Sequence, residues 1–351
     1  MNTTRINEIL ADQPKYRWQQ AERAIYVGLA GDWAEVSVLP ADLRERLAEA
    51  CPLAIEAEES VSADGSRKAL ITLEDGLKIE TVLLKHKDGR HTVCVSSQVG
   101  CPLGCLFCAT GRLGYKRNLT SEEIVEQVLY FARQLKKQDK QVTNVVFMGM
   151  GEPLLNYDNV LAAIRTLNRS DGFNMGARRI SISTAGIPKG IRQLAREGLE
   201  VNLALSLHAP NNELRGQIMP ISKNYTLTQV MTALAEYIEA TNRRVMFEYV
   251  MIKNINDAPE HAKQLVKLLS GWLAFVNLIN YNETDLFYPS TAERIDKFKK
   301  ILEDGHITVV QRHSFGQGID AACGQLAAKK RAAGKKPSNK ASKYPPKKIG
   351  R

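Results

Sequence analysis

The sequence predicts an α/β protein whose core is a parallel sheet with right-handed crossovers. It is wound as an open sheet or as a full or partial barrel. Three observations predict this. From about residue 92, seven short apolar runs alternate with six amphipathic segments of helical period. The first 75 or so residues carry helical periodicity instead, and the last 25, residues 327–351, are basic and poor in apolar side chains.

Taken in order, NEILADQ, YRWQQAERAIYVGL and LPADLRERLAEA predict helices with Arg and Lys on their outer faces, so residues 1–75 are expected to form a small helical accessory domain. ALITLEDGLKIETVLLKHKDGRHTVCVSS then reads as strands separated by turns at EDG and KDG. In the core, expected over 76–326, the strand candidates are TVCVS, TNVVFM, RISIS, NLALS, VMFEYVM, FVNLIN and ITVV. The helix candidates between them are SEEIVEQVLYFARQLKK, YDNVLAAIRTLN, PKGIRQLAREG, LTQVMTALAEYIEAT, APEHAKQLVKLLSG and TAERIDKFKKILEDG. In such folds functional groups gather at the carboxyl ends of the strands. The chemically interesting segments fall there: Ser96–Cys108, Gly149–Pro153, Ser183–Gly186, Ser206–His208 and Asn282.

No apolar run reaches the roughly 18 residues of a membrane span, and the N-terminus has no apolar signal region, so no membrane is involved and a cytoplasmic protein is expected. The net charge of +10 is concentrated in the extension, where residues 329–351 hold ten Lys or Arg and no acid. That extension is expected to be disordered, either as a solubilising tail or as an attachment to a nucleic-acid backbone. Six cysteines in such a chain are too few and too unevenly placed for a disulfide framework. Cys51, in EACPL, reads as core packing.

The first core strand leads into CPLGCLFC, with Cys101, Cys105 and Cys108 spaced C-x3-C-x2-C. A structural zinc site needs four ligands and favours C-x2-C pairs. Three thiolates leave one corner of a cubane iron–sulfur cluster without a protein ligand, open to a substrate or cofactor. This spacing, with an aromatic before the last Cys, resembles the signature of the radical S-adenosylmethionine (SAM) superfamily. There the amino and carboxylate groups of SAM chelate the open iron of a [4Fe–4S] cluster. In MGMGEP, Gly151 and its neighbour Gly149 allow close backbone approach, and Glu152 adds charge for the SAM ammonium. Ser183 in STAG, and Ser206, Leu207 and His208 in SLHA, suit ribose and carboxylate contacts. Asn282 completes the expected cofactor set.

Cys94 in CVSSQVGC and Cys323 in IDAACGQL narrow the reading. With MGMGEPLLNYDNV, RRISISTAGIPKGIRQLA, VNLALSLHAPNNELR, FEYVMIKNINDAPEHA and VNLINYN, they closely resemble the 23S rRNA adenine-C2 methyltransferases over roughly residues 15 to 326. The resemblance implies a partial (β/α)6 radical SAM barrel and two SAM molecules per turnover. It also implies that Cys323 carries the methyl group as S-methylcysteine and then joins the RNA covalently. Glu80, in KIETV, would be the proton acceptor, and Cys94 would resolve the adduct by a transient disulfide with Cys323. The implied partners are 23S rRNA, tRNA as a second substrate in some members, and an electron donor such as flavodoxin or ferredoxin. A monomer is expected, with the helical domain helping to bind RNA and Arg112, Lys116 and Arg117 placed to meet phosphates.

Two departures from the family pattern stand out. Gly318 replaces an acid two residues before Asp320, and ETDLFYPST after Asn282 lacks the usual Pro and Gly. Two rivals are kept. One is the carbon-8 sister group, against which Pro153 speaks, since an Ala stands there in carbon-8 enzymes. The other is a non-enzymatic zinc-containing RNA-binding protein.

Overall fold

The computed structural model describes residues 2–282, 286–312, 316 and 318–326. The basic extension expected over 327–351, and residues 283–285 of the ETDLFYPST segment, lie outside them.

Three helices open the chain: α1 (Thr3–Leu10), α2 (Lys15–Tyr26) and α3 (Ala41–Ala50). They bury Ile6, Leu10, Ile25, Leu43 and Leu47 around Trp33, whose indole donates to the carbonyl of the buried Cys51 (2.7 Å). An antiparallel run follows, β1 (Ala57–Val61), β2 (Arg67–Thr72), β3 (Lys78–Lys85) and β4 (His91–Cys94). Each hairpin carries the same device. Asp64, Asp75 and Asp88 accept from the amide two residues on, and the following glycines take φ of 80°, 78° and 85°. An Asx-stabilised turn closed by a left-handed glycine sets each register. The helical segment therefore ends at Ala50, because β1 and β2 extend the main sheet.

A two-stranded ribbon, β5 (Gln98–Gly100) and β6 (Tyr115–Asn118), brackets the cysteine loop and the short helix α4 (Ala109–Arg112). The sequence reading had no strands there. Next come α5 (Ser121–Lys136), β7 (Asn144–Phe147), α6 (Tyr157–Asn168), β8 (Ile180–Thr184), α7 (Pro188–Ala195) and β9 (Asn202–Ser206). The chain continues with α8 (Asn212–Ile218), α9 (Leu227–Thr241), β10 (Val245–Met251), α10 (Pro259–Leu269), β11 (Ala274–Asn280), α11 (Ala292–Asp304) and β12 (Val309–Arg312). Capping boxes start α5 (Thr120 with Glu123) and α9 (Thr226 with Gln229), as their sequences encode. The six expected crossover helices form; α8 was not foreseen.

Strands β4, β7, β8, β9, β10, β11 and β12 pair in that order and all in parallel. Neighbours in sequence are neighbours in space, without the order reversal of a doubly wound sheet. Among the described residues no ladder joins β12 back to β4, so the barrel is partial. β12 adds a seventh parallel strand to the six expected of the barrel. Strands β4 and β7 to β11 are largely buried, because helices cover the outside and side chains fill the inside. No helix among the described residues is long and apolar enough to cross a membrane.

Candidate active site

The site lies at the carboxyl end of the barrel, where loops after five parallel strands meet within-strand residues of a sixth. Its foundation is Ser96, just past β4. Ser96 Oγ donates to the Glu80 carbonyl (2.6 Å) and accepts from the Met150 amide (2.9 Å). Its backbone is held on both sides by the buried Gln127 of α5 (2.7 and 3.0 Å). The MGMGEP loop is thereby laid against residues 95–98. A Cβ on Gly151 would fall 2.6 Å from Gln98 Cβ, and its φ is +102°. Close packing of two loops requires this glycine first, although Gly149 and Gly151 also line the cavity.

Glu152 is 3% exposed, with both oxygens engaged. Oε1 accepts from Thr184 Oγ1 (2.7 Å) and the Leu154 amide (3.1 Å), and Oε2 from the Ala185 amide (2.7 Å). Burial pushes its pKa up, while these donors and the Arg215 charge pull the other way. Glu152 thus braces the loops after β7 and β8 while presenting charge to the cavity it lines.

Cys101, Cys105 and Cys108 line that same cavity, with Ser183, Ser206 and His208. Burial, with the charges of Glu152 and Cys108, raises the Cys101 thiol to about 12; burial and its two neighbours push Cys105 up as well. Three cysteines gathered in one cavity are a donor set that a cationic iron centre would stabilise as thiolates, so the residues fit a [4Fe–4S] cluster. Among the described residues no three His, Cys, Asp or Glu side chains converge on a single metal ion.

His208 holds a left-handed backbone, φ +57°, outside the usual range of a non-glycine residue. The fully buried Asn256 clamps it: Nδ2 donates to the carbonyls of His208 (2.9 Å) and Val250 (2.6 Å), and Oδ1 accepts from Ile252 N (2.7 Å). His208 Nδ1 accepts from the Val250 amide (3.1 Å), which assigns the proton of the neutral ring to Nε2. Phe107, the aromatic of the cysteine motif, packs edge-on against this ring with centroids 4.8 Å apart. Burial, with Arg215 nearby, lowers the His208 pKa from 6.5 to about 3. The ring is therefore a fixed neutral donor and not an acid–base group at working pH.

A consequence for stability follows. The unfolded chain takes up the His208 proton below 6.5 while the native state refuses it until about 3, so stability falls as pH drops through that window. Between pH 7 and pH 5 the His208 share of the loss is about 2 kcal/mol. Denaturant midpoints at the two pH values should show it in the wild type and lose that share in His208→Asn, whose side chain tolerates the left-handed backbone.

Two buried charges escaped the sequence reading. Glu248, in the middle of β10, accepts from Ser183 Oγ (2.6 Å) and Ser206 Oγ (3.4 Å), so the two expected serines share one carboxylate on the cavity wall. An acid inside the apolar run VMFEYVM was the available signal, since a strand buried on both faces must pair any charge it carries. Arg215 on α8 is fully buried and donates to the carbonyls of Ala185 (2.6 Å), Ser206 (3.1 Å) and Leu207 (3.1 Å) and to Ser222 Oγ (3.0 Å). Its residue type alone, within a segment read as loop, gave no sign of this.

The second half of the cavity is lined by Cys94, Cys108, Asn282 and Cys323. Cys94 is buried on β4 and Cys323 is exposed. The turn carrying Cys323 buries Ala321, Ala322 and Leu326, and surrounding residues hold it by its carbonyls. Lys68 Nζ donates to Asp320 (3.3 Å), Asn282 Nδ2 to Cys323 (3.2 Å), the Ala109 amide to Gly324 (2.7 Å) and Thr110 Oγ1 to Leu326 (2.7 Å). Asn282, expected on the cofactor, thus touches the thiol-bearing turn. Gly318 has φ +89°, a conformation in which the acid found in many family members would be strained. Glu80 is 1% exposed and paired with Lys68 at 2.8 Å. Arg117 is taken up by Glu123 (2.8 Å twice) and Asp75 (2.6 Å), which leaves Arg112 and Lys116 as the exposed cations of that loop.

A partial parallel barrel with a three-thiol loop at its carboxyl end defines the class of radical SAM enzymes, and the model of the radical SAM superfamily matches residues 95–268. A probable dual-specificity RNA methyltransferase RlmN of Dictyoglomus turgidum is 47% identical over 319 residues, covering 90% of this chain and 91% of the relative. The protein of the same description from Thermotoga petrophila is 51% identical over 269 residues, 76% of this chain and 77% of its own. A crystal structure of a radical SAM methyltransferase from Sphaerobacter thermophilus superposes with a TM-score of 0.89 at 42% identity, covering 94% of this chain and 98% of that one. The chain belongs to the RlmN family of radical SAM methyltransferases. Its cofactors are a [4Fe–4S] cluster and SAM.

Proposed function

We propose that this enzyme methylates carbon 2 of an adenosine in 23S rRNA, and of an adenosine in tRNA, through an S-methylcysteine at Cys323. The observation that carries the reading is that Cys94 and Cys323, far apart in sequence, line one cavity that also holds Cys108 of the cluster motif. The printed description of the relatives as dual-specificity RNA methyltransferases supports an RNA substrate.

Carbon 2 of adenine is electron-poor and has no lone pair with which to attack a methyl sulfonium, so a protein-borne carrier is required. When bound, the cluster and SAM supply the electron, the methyl group and the hydrogen-abstracting radical. Cys323, on an exposed turn beside both cavity halves, presents its sulfur as the carrier. Ser183, Ser206 and Glu248 offer a hydroxyl–carboxylate array suited to a ribose, and His208 Nε2 a fixed donor. Glu80 takes the ring proton. The Cys94 thiolate then attacks the Cys323 sulfur: the sulfur–carbon bond to the adduct breaks, its electron pair passes to the former methylene carbon, which takes up a proton to become the methyl group, a disulfide forms, and the methylated RNA leaves. A cellular dithiol returns two electrons and resets both cysteines.

Nucleoside mass spectrometry on transcribed 23S rRNA fragment and tRNA, treated with reconstituted enzyme, tests this. 2-Methyladenosine in both is expected. 8-Methyladenosine alone would transfer the reading to the carbon-8 group, in keeping with which Pro153 would then have to be reinterpreted. A colourless protein holding stoichiometric zinc would favour the non-enzymatic rival.

A further inference from the structure

Lys68 is a buried cation that the chemistry above does not use. It stands on β2, outside the barrel, yet touches two functional parts at once: Glu80 Oε1 at 2.8 Å and the carbonyl of Asp320, three residues before Cys323, at 3.3 Å. The register explains how. Lys68 faces Val82 across β2 and β3, and Val82 faces Cys94 across β3 and β4. Facing residues share a side of the sheet, as do residues two apart, so Lys68, Glu80 and Cys94 occupy one face. The side chains of Lys68 and Glu80 are 10% and 1% exposed. Buried ion pairs are poor stabilisers, because the desolvation of both charges offsets their attraction. A pair kept at this position, with its cation also bonded to the carrier turn, needs another reason.

We propose that Lys68 is a positioning residue: it holds the carboxylate of the proposed base Glu80 in place and ties it to the turn that bears Cys323. Without the ammonium, the buried Glu80 side chain loses the partner that fixes its Oε1 and its link to the turn. The second bond of the ammonium, to the Asp320 carbonyl, places the base and the methyl carrier in one register, so that proton removal is available while the turn is docked. Asp320 itself takes a left-handed backbone, φ +51°, and its carbonyl is the one that Lys68 reaches.

This inference rests on the assignment of Glu80 as proton acceptor, and the test separates the two. Reconstituted holoenzyme carrying Lys68→Met, Lys68→Arg, Glu80→Gln or the Met and Gln pair is incubated with SAM, a reductant and transcribed 23S rRNA fragment. Intact-protein mass spectrometry reads methylation of Cys323, which needs no base. Nucleoside analysis reads RNA methylation, and denaturing gels read protein–RNA adduct. Lys68→Met should keep Cys323 methylation, lose RNA methylation by about a hundredfold or more as expected for loss of a general base, and accumulate adduct despite an intact Cys94. The double variant should be no slower than Glu80→Gln, and Lys68→Arg should recover to within about tenfold of the wild type, since a guanidinium can make both bonds. If Lys68→Met methylates RNA normally while Glu80→Gln does not, the inference falls alone. Loss of Cys323 methylation in both Lys68 variants means a merely structural pair and also overturns it. Normal turnover in Glu80→Gln removes the proton-acceptor assignment, and this inference with it.

Discussion

Replacing Cys94 with Ala is expected to stop the enzyme at a covalent protein–RNA adduct through Cys323. The variant deletes one buried sulfur at the end of β4, where the backbone is held independently by Thr81 Oγ1 on the Cys94 carbonyl (2.9 Å) and by the parallel ladder to β7. Truncation of so small a side chain costs about 1 kcal/mol, so the fold persists. Every group that loads and presents the methyl carrier remains, and only the thiol that breaks the sulfur–carbon bond is gone. Modified RNA should reach at most one equivalent per enzyme and stay attached to it. Denaturing electrophoresis would show the retarded band, and nuclease digestion with peptide mass spectrometry would place the adenosine on Cys323. Finding Cys323 methylated and RNA consumed without any adduct would sink the resolving role of Cys94.

The second large effect is expected from Arg215→Met, at a position with no assigned chemistry. Four donations from one guanidinium hold together the loops after β8 and β9 and the turn after α8. Burial lowers the Arg215 pKa to about 10, opposed by the charges of Cys105 and Glu152, so the cation faces the cluster loop and the GEP loop as well. Methionine fills much of the space but leaves three carbonyls and a hydroxyl without a donor. We expect a loss of about 3–5 kcal/mol, read from urea midpoints. Iron content after anaerobic reconstitution should drop with it, because the positive charge that offsets the Cys105 thiolate is removed. A loss below about 1 kcal/mol with full iron content would mean that Arg215 is replaceable filler.

How much of this could be read beforehand follows from how far each signal reaches along the chain. Strand–helix alternation, the DG turns and the capping boxes at Thr120 and Thr226 are local patterns, and they form the elements that they predict. The cysteine spacing is local too, and it marked the loop that lines the cavity. The ribbon β5–β6 was missed because its strands are three and four residues long, too short to show a period. Helix α8 was missed for a similar reason, with Gly216 weakening its pattern further. Arg117 looked free for phosphate in sequence, yet Asp75 and Glu123 reach it from separate elements.

The α/β class, the strand ends at which functional groups gather, and the cysteines proposed as carrier, resolving thiol and cluster loop were all legible in the residues alone. Only the tertiary structure decided what those residues touch. It put Ser183 and Ser206 on Glu248, neutralised His208 by burial, aimed Asn282 at the Cys323 turn, and buried Glu80 against Lys68. The physical reason is range. Propensity, turn chemistry and periodicity act over a few residues, whereas burial and pairing of charge depend on which strands lie side by side, and no stretch of one strand records its neighbour.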